Sequence, residues 1–261
     1  MIRVRTLEPG DEQAIEAFLA RRADASMFLR SNLRAGGLVD RGEPFHATWA
    51  GAFDDGGLLG VAAHAWNENV LLQAPAALPE VVRHAVRTSG RPVAGLLGEW
   101  SQVRAARGAL AVDGRATRFA SHDDLFALDL ARLAVPPALA RGDVRVRLAG
   151  DGDAARITRW RSAYRVELLG HPADDPELDA SSAAELEPVL LQQSCFLLER
   201  AGEPVAFSAF NARLPDCVQV GGVFTSPELR SRGYARAVVA GSLLAARTQG
   251  VTRSDTQRHL G

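Results

Sequence analysis

The chain repeats a strand-and-helix pattern at a nearly constant interval, and this repeat constrains its fold more than any other feature. Residues 2–18, IRVRTLEPGDEQAIEAF, resemble residues 144–160, VRVRLAGDGDAARITRW, at an offset of 142 (144 − 2). Residues 60–67, GVAAHAWN, resemble residues 204–211, PVAFSAFN, at an offset of 144 (204 − 60). A sequence pattern that recurs at a fixed interval indicates a recurring structural unit, so we expect two halves with one architecture.

Each half is predicted to contain a strand, one or two helices, a meander of three strands and a later helix. Asp11 and Asp153 occupy matching places in the two copies, where an aspartate suits a helix N-cap. Strands mixed with helices in this order predict an α/β (α+β) fold, with a mostly antiparallel mixed sheet flanked by helices in each half.

The boundary between the halves is expected near the middle of the chain. Residues 129–143, DLARLAVPPALARGD, contain two adjacent prolines and show no clear periodicity, which is typical of a linker. We therefore predict one domain at residues 1–135 and a second at residues 143–261.

The composition excludes several classes of function. The net charge is −1, so nothing in the bulk charge attracts nucleic acid or anionic lipid, and we expect neither as a partner. All 30 basic residues are arginine, which excludes mechanisms that need a lysine. No apolar run approaches the ~18 residues of a membrane span, and the N-terminus lacks the apolar region of a signal peptide, so we expect a cytoplasmic protein.

The two cysteines, Cys195 and Cys217, lie in apolar, strand-like runs with no metal-ligand spacing. We expect buried, reduced thiols and no metal site.

The most informative local stretch is residues 222–246, GVFTSPELRSRGYARAVVAGSLLAA. A strand-like run precedes it, Ser226 and Pro227 end that run, and an apolar helix begins near Gly233. Backbone N–H groups in the first turn of a helix have no intrahelical partner and attract anions, and glycine lets the backbone approach a phosphate closely. The stretch therefore predicts a phosphate site at the start of this helix.

The spacing Arg-x-x-Gly-x-Ala from Arg230 to Ala235 resembles the acetyl-CoA pyrophosphate loop of the GNAT N-acetyltransferase superfamily. The resemblance implies two GNAT-like domains, with acetyl-CoA as the acyl donor and no metal. It implies main-chain contacts from the strand to the pantetheine arm and from the loop to the pyrophosphate. The implied donor-binding residues are Val223, Phe224, Thr225, Arg230, Ser231, Arg232, Gly233, Tyr234, Ala235 and Arg236.

The motif is present in one half only. In the first half the matching stretch, residues 69–84, reads NVLLQAPAALPEVVRH and has Pro75 and Pro79 in place of the loop arginines. We therefore expect a degenerate first domain without a cofactor loop.

Candidate catalytic residues come from the helix-like run at residues 160–172, WRSAYRVELLGHP. Histone-type members of the family carry a glutamate base on the strand before the loop, but the matching residue here is Gln219, whose amide cannot act as a base. Tyr164, Glu167 and His171 are spaced to share one helix face, and the resemblance implies that this region lines the acceptor site. We take Glu167 and Tyr164 as the candidate catalytic residues.

Other interpretations of these residues stay open. Tyr164 also fits a half-buried aromatic side chain, and Glu167 fits a solvated ion pair with Arg161 or Arg165. The acidic stretch at residues 171–179, HPADDPELD, suits a cationic amine acceptor or simply a solvated loop.

The C-terminal stretch departs from the family pattern. Residues 254–259 are polar where apolar strand residues are expected, and the general-acid tyrosine of the family has no counterpart. Either the C-terminus is truncated or frameshifted, or the sheet is completed by another route. We favour truncation, which leaves activity in question.

The sequence thus predicts an acetyl-CoA-dependent N-acetyltransferase that acts on a primary amine of a small molecule or a protein. The alternative is a catalytically inert CoA-binding or structural protein of the same fold. The oligomeric state is open, and a homodimer is one of the states considered.

Overall fold

The computed structural model describes residues 1–117 and 119–259. The chain divides into two compact units, Met1–His122 and Asp123–Gly261. No helix among the described residues is long and apolar enough to cross a membrane.

The first unit has a five-stranded sheet in the order β1-β2-β3-β4-β5, in which only β4 and β5 run parallel. Apolar residues on both faces of this sheet pack against the helices. In chain order its elements are β1 (Arg3–Thr6), α1 (Glu12–Ala20), α2 (Met27–Gly36), β2 (Ala47–Asp54), β3 (Gly57–Ala65), β4 (Asn69–Gln73), α3 (Leu78–Ser89), β5 (Gly95–Leu97) and α4 (Trp100–Ala109).

The second unit has a six-stranded sheet in the order β6-β11-β10-β9-β8-β7, in which only β10 and β11 run parallel. Helix α8 covers one face and α6 with α7 the other. In chain order its elements are β6 (Asp123–Asp129), α5 (Pro137–Ala140), β7 (Arg145–Leu148), α6 (Ala154–Leu169), α7 (Leu178–Leu191), β8 (Cys195–Arg200), β9 (Glu203–Arg213), β10 (Cys217–Thr225), α8 (Tyr234–Thr248) and β11 (Arg253–His259).

The predicted fold class and internal repeat are confirmed. From β1 to β5 and from β7 to β11 the two units follow the same order: a strand, two helices, three antiparallel strands, a helix and a parallel strand. Of the two similar sequences, residues 60–65 of the first lie in β3, and the second, residues 204–211, lies in the matching strand β9.

The paired aspartates of the repeat make the same contacts in both units. Asp11 forms an ion pair with Arg5 at 2.6 Å, and Asp153 forms one with Arg147 at 2.6 Å. Each carboxylate also accepts a backbone N–H from three residues earlier in the chain, at 2.9 Å in both units. Neither side chain caps the following α-helix, contrary to expectation; each instead fixes the loop before it.

The division between the units falls earlier than the predicted linker at residues 129–143. Strand β6 begins at Asp123 and pairs with β11, so it belongs to the second sheet. Leu130, at the start of the predicted linker, is fully buried in the core beneath α8.

The polar segment at residues 254–259 was not expected to form a strand, and here the structure differs from the sequence-based expectation. It lies within β11, which pairs with β10 on one side and β6 on the other. Hydrogen bonds to two neighbouring strands stabilise this segment despite its polar sequence, because ladder pairing uses the backbone of any residue except proline. The sheet therefore continues past β11 with a strand from upstream in the chain.

Cys195 and Cys217 are free and buried. Burial raises the pKa of each thiol to about 12, so both remain protonated at neutral pH. Among the described residues, no group of three or more His, Cys, Asp or Glu side chains is arranged to hold a metal ion.

Candidate functional site

Strand β10 leaves the regular sheet halfway along its length. It pairs in parallel with β11 only from Cys217 to Val220, then continues to Thr225 alongside β9 alone. One backbone edge of residues 221–225 therefore has no β11 partner, and its N–H and C=O groups are available to a ligand.

A bulge marks the point where the two strands separate. The pairing of β10 with β9 shifts register between Gly221 and Phe224. Gly222 has a φ of +63°, a region that favours glycine, and a Cβ on Gly221 would collide with the Asn211 side-chain amide. The two glycines thus allow the strand to bend.

The loop between β10 and α8 forms a concave arrangement of backbone N–H groups. Ser231 and Gly233 both have positive φ, at +61° and +80°, and they flank Arg232, whose φ is not positive. Alternation between left- and right-handed residues forms a nest that binds anions. Helix α8 starts at Tyr234 and its first intrahelical bond is donated by Ala237, so the preceding N–H groups face outward at the positive end of the helix dipole.

Helix α8 is firmly anchored behind this loop. The buried Tyr234 side chain packs against Leu198 and Val205, and its hydroxyl accepts a hydrogen bond from Arg200 at 3.0 Å. Gly241 lies directly against Val146 of β7. The position of the helix N-terminus is therefore fixed by the core of the second unit.

A cleft of about 270 Å³ lies between the end of β10, the loop and the C-terminal part of α6. Of the residues implied as donor-binding, Arg232 and Arg236 are exposed and do not line it. The residues that line the cleft are Glu167, Leu168, Val223, Phe224, Thr225, Leu229, Arg230, Ser231, Gly233, Tyr234 and Ala235.

An ion pair joins two of the residues that line this cleft. Arg230 donates two hydrogen bonds to the Glu167 carboxylate, at 2.7 and 2.6 Å, and its Nε donates a third to the Thr225 carbonyl at 3.0 Å. Glu167 therefore pairs with Arg230, not with Arg161 or Arg165. The hydrogen bond from Arg230 lowers the pKa of Glu167, which makes this carboxylate a weaker base.

The other candidates from this helical run lie away from the cleft lining. Tyr164 packs in the aromatic and aliphatic cluster on the α6 face of the sheet, with the Arg161 guanidinium 5.1 Å from the centre of its ring. Helix α6 ends at Leu169, so His171 lies beyond it and not on the predicted helix face. The structure brings Glu167 to this cleft, whereas Tyr164 and His171 do not line it.

Two buried polar atoms near the bulge have no hydrogen-bond partner among the described residues. They are Gln219 Oε1 and Thr225 Oγ1, one on each side of the bulge in β10. Sequence reasoning noted Gln219 only as a missing base. It did not find Asp255, a buried carboxylate on β11 beside Gln219, because β11 itself was not expected.

The corresponding place in the first unit is filled by the protein itself. There the side chain of Gln102, from α4, accepts a hydrogen bond at 2.6 Å from the backbone N–H of Ala74, just after β4. A Cβ on Gly98 would lie 2.9 Å from the Leu72 carbonyl, so the chain after β5 stays close to β4.

A comparison with protein families finds a match in the second unit. Residues 156–258 match the acetyltransferase (GNAT) family. A search among curated proteins finds no match to the chain.

Solved structures share the fold over nearly the whole chain. A GCN5-related N-acetyltransferase from Sphaerobacter thermophilus is 14% identical with a TM-score of 0.57, covering 99% of this chain and 86% of its own. A tandem GNAT protein from the clavulanic acid biosynthesis pathway is 12% identical with a TM-score of 0.53, and the match covers 100% of this chain and 90% of that protein. A glucosamine N-acetyltransferase region in a fungal multi-domain β-N-acetylglucosaminidase is 14% identical with a TM-score of 0.53, covering 98% of this chain.

The chain spans 35% of the length of that fungal protein. Because the sequence identities are only 12–14%, the solved structures establish the fold alone. The family match lies in the unit that carries the nest, the bulge and the cleft. The second unit is therefore similar to the acetyltransferase (GNAT) family over residues 156–258, and the whole chain is similar in fold to a tandem GNAT protein.

Proposed function

We propose that the second unit is an acetyl-CoA-dependent N-acetyltransferase that acts on a primary amine of a small molecule or a protein. The observation that carries the proposal is the nest at Ser231–Gly233, set at the N-terminus of α8 beside a strand edge that β11 leaves open. A pyrophosphate suits the nest and an extended amide-containing arm suits the open edge, because the first is an anion and the second pairs with backbone.

The residues present fit such a donor. Thr225 lines the cleft, and its buried Oγ1 has no partner in the part of the chain that the structure describes, so a hydrogen bond to the donor would remove the cost of leaving it unsatisfied. The N–H groups of Gly233, Tyr234 and Ala235 would hold the pyrophosphate, and the exposed guanidinium of Arg232 would add charge at the loop. Val223 and Phe224 would contact the arm through their backbone.

Acetyl-CoA supplies a thioester carbonyl, which the amine nitrogen attacks: a C–N bond forms, the C–S bond breaks, and the thiolate leaves and takes a proton. The contribution of this chain is to hold the two substrates in line and to offer a backbone N–H at the bulge to the developing oxyanion. Because Glu167 is paired with Arg230, we assign it to the donor cleft, and a base role would require that pair to open.

The first test of the function uses the intact chain. Titration calorimetry with acetyl-CoA should give saturable binding at one site per chain, because the Gln102 side chain occupies the matching place in the first unit. Release of CoA thiol should then depend on an added primary amine. Binding without thiol release for any amine would favour the inert alternative, and no binding would contradict both.

Substitutions of the two residues in the Glu167–Arg230 pair should change acetyl-CoA affinity in opposite directions. Glu167→Gln should tighten acetyl-CoA binding by about 3- to 10-fold, because it removes a negative charge from the cleft and frees Arg230 for phosphate. Arg230→Gln should weaken binding by about 10-fold. Both affinities are measured by calorimetry at low ionic strength, where surface charges are least screened.

Glu228→Gln is the matched control. It removes one carboxylate beside the same loop but leaves the Glu167–Arg230 pair in place. If Glu228→Gln tightens binding as much as Glu167→Gln, the effect comes from the overall charge of the loop and not from release of Arg230.

A further inference from the structure

Strands β1 and β7 occupy matching places at the outer edges of their sheets. Each pairs with a neighbour on one side only, so every second residue turns its backbone N–H and C=O away from the sheet. Leu7 and Ala149, one residue past each strand, donate their N–H groups inward, to Trp49 and Cys195, both at 2.9 Å. The residues just before and just after each of them therefore present their backbone at an open edge.

In the first unit, the side chains of Arg5 and Asp11 occupy this open edge. Arg5 Nη1 donates a hydrogen bond to the outward-facing carbonyl of Thr6 at 3.0 Å, and Asp11 Oδ2 accepts one from the outward-facing N–H of Glu8 at 2.9 Å. The two side chains also bind each other through two hydrogen bonds, at 2.6 and 2.7 Å. We call this arrangement, in which an ion pair occupies one carbonyl and one N–H of the edge, an Arg–Asp clamp.

The second unit has the same clamp at β7. Arg147 Nη1 donates to the Leu148 carbonyl at 3.1 Å, and Asp153 Oδ2 accepts from the Gly150 N–H at 2.9 Å. Two hydrogen bonds join the arginine to the aspartate, at 2.6 and 2.9 Å. The backbone groups belong to threonine and glutamate in one unit and to leucine and glycine in the other. The two clamps thus share only the arginine, the aspartate and the geometry of the backbone.

Each guanidinium group is also held from the neighbouring strand. Arg147 Nε donates a hydrogen bond to Glu199 on β8 at 2.6 Å, and the Arg5 guanidinium lies 4.6 Å from the centre of the Phe53 ring on β2. The hydrogen bond from the arginine lowers the pKa of the carboxyl group in each clamp, so both carboxylates stay ionised at neutral pH. The clamps are therefore closed at neutral pH.

We propose that the two Arg–Asp clamps prevent a second copy of the chain from pairing with β1 or β7. A strand that adds to an open edge needs the outward-facing N–H and C=O groups, and each clamp already binds two of them. The incoming strand would also have to displace an ion pair. A second copy carries the same edge, and antiparallel pairing of two identical edges is two-fold symmetric. The inference does not depend on the proposed function.

The test opens the clamp of the second unit without changing the net charge. The full chain carries Arg147→Met together with Asp153→Ala. The matched control carries Arg141→Met together with Asp143→Ala, which removes an ion pair of similar length, 2.7 Å, that lies before β7 and not on its edge. Sedimentation velocity at several protein concentrations gives the self-association constant, and circular dichroism checks the fold.

The clamp variant should associate with itself at least 10-fold more tightly than wild type, whereas the control should stay within 2-fold. Adding Leu148→Pro to the clamp variant should return the association constant to within 2-fold of wild type. Proline has no N–H to offer at the open edge, and the N–H of Leu148 points outward, so the sheet itself loses no hydrogen bond. A purely structural role for the pair would lower the melting temperature without raising the association constant.

The wild-type protein supplies a second measurement, which does not depend on the folding of any variant. The amide hydrogens of Glu8 and Gly150 should exchange with solvent at least 10-fold more slowly, after correction for intrinsic rates, than those of Thr6 and Leu148. The latter two also face outward but are not donors in the clamps. Exchange is followed for single residues by nuclear magnetic resonance.

Three results would overturn the inference. The first is a folded clamp variant that associates no more tightly than the control. The second is an association of the clamp variant that Leu148→Pro leaves unchanged, because the new contact would then lie elsewhere. The third is exchange of the Glu8 and Gly150 amides in the wild-type protein as fast as that of Thr6 and Leu148.

Discussion

Gly233→Glu should weaken acetyl-CoA binding at least 100-fold while the second unit stays folded. Gly233 has a φ of +80°, so any side chain there is strained, and a glutamate would add a negative charge in the nest that is proposed to hold the pyrophosphate. No atom of residues 1–117 or 119–259 lies within 4 Å of a Cβ built at this position, so the substitution does not disturb the core. Calorimetry gives the affinity, and circular dichroism checks the fold.

Two variants separate charge from backbone strain. Gly233→Asn introduces a neutral residue that tolerates positive φ, and it should keep acetyl-CoA affinity within about 10-fold of wild type. Ser231→Gly should keep or improve the affinity, because glycine adopts the φ of +61° observed at Ser231 without strain. Acetyl-CoA affinity within 3-fold of wild type for Gly233→Glu would rule out the nest as the donor site.

Gly241→Ala should destabilise the second unit by about 2 kcal/mol, although alanine is the better helix former by about 1 kcal/mol. A Cβ at Gly241 would lie 2.6 Å from Val146 Cβ and closer still to Val146 Cγ2. Helix α8 would have to move away from β7, and the helix N-terminus would move with it. Acetyl-CoA affinity should therefore fall along with stability.

Hydrogen–deuterium exchange resolved by peptide measures this effect for each unit separately. Gly108→Ala in α4 is the matched control, because among the described residues a Cβ there meets only Asp113 Oδ2, at 3.4 Å, which is an ordinary contact. It should stabilise the first unit by about 1 kcal/mol. Val146→Ala should recover part of the stability lost in Gly241→Ala, since it removes the two methyl groups nearest to the added Cβ. Additive costs in the double variant would contradict the proposed clash.

The fold could be predicted from the sequence because it depends on local and periodic sequence patterns. Alternating apolar residues, the strand–turn–helix order and the repeated positions of Asp11 and Asp153 are all encoded within short windows. The loop at Arg230–Ala235 was recognisable because its spacing resembles a known family motif within six residues. Gly233 in that motif has a φ of +80°, which glycine adopts without strain.

Contacts between segments that are distant in the chain were harder to predict from the sequence. The pairing of Glu167 with Arg230 joins residues 63 positions apart, and sequence spacing favoured the nearer arginines Arg161 and Arg165. The segment of β11 was missed because its side chains are polar. It becomes a strand through backbone bonds to β10 and to β6, and the partner residues of β6 lie more than 100 positions earlier in the chain.

The sequence by itself determined the mixed sheets, the internal repeat and the glycine-containing loop at the start of α8, because each is set by residues close together in the chain. Only the tertiary structure decided which strands complete the second sheet, that Arg230 holds Glu167 at the cleft, and that Asp255 lies beside Gln219. Those arrangements depend on sheet register and on packing between segments that are remote in the chain. The energies of such contacts cannot be predicted from a short stretch of sequence.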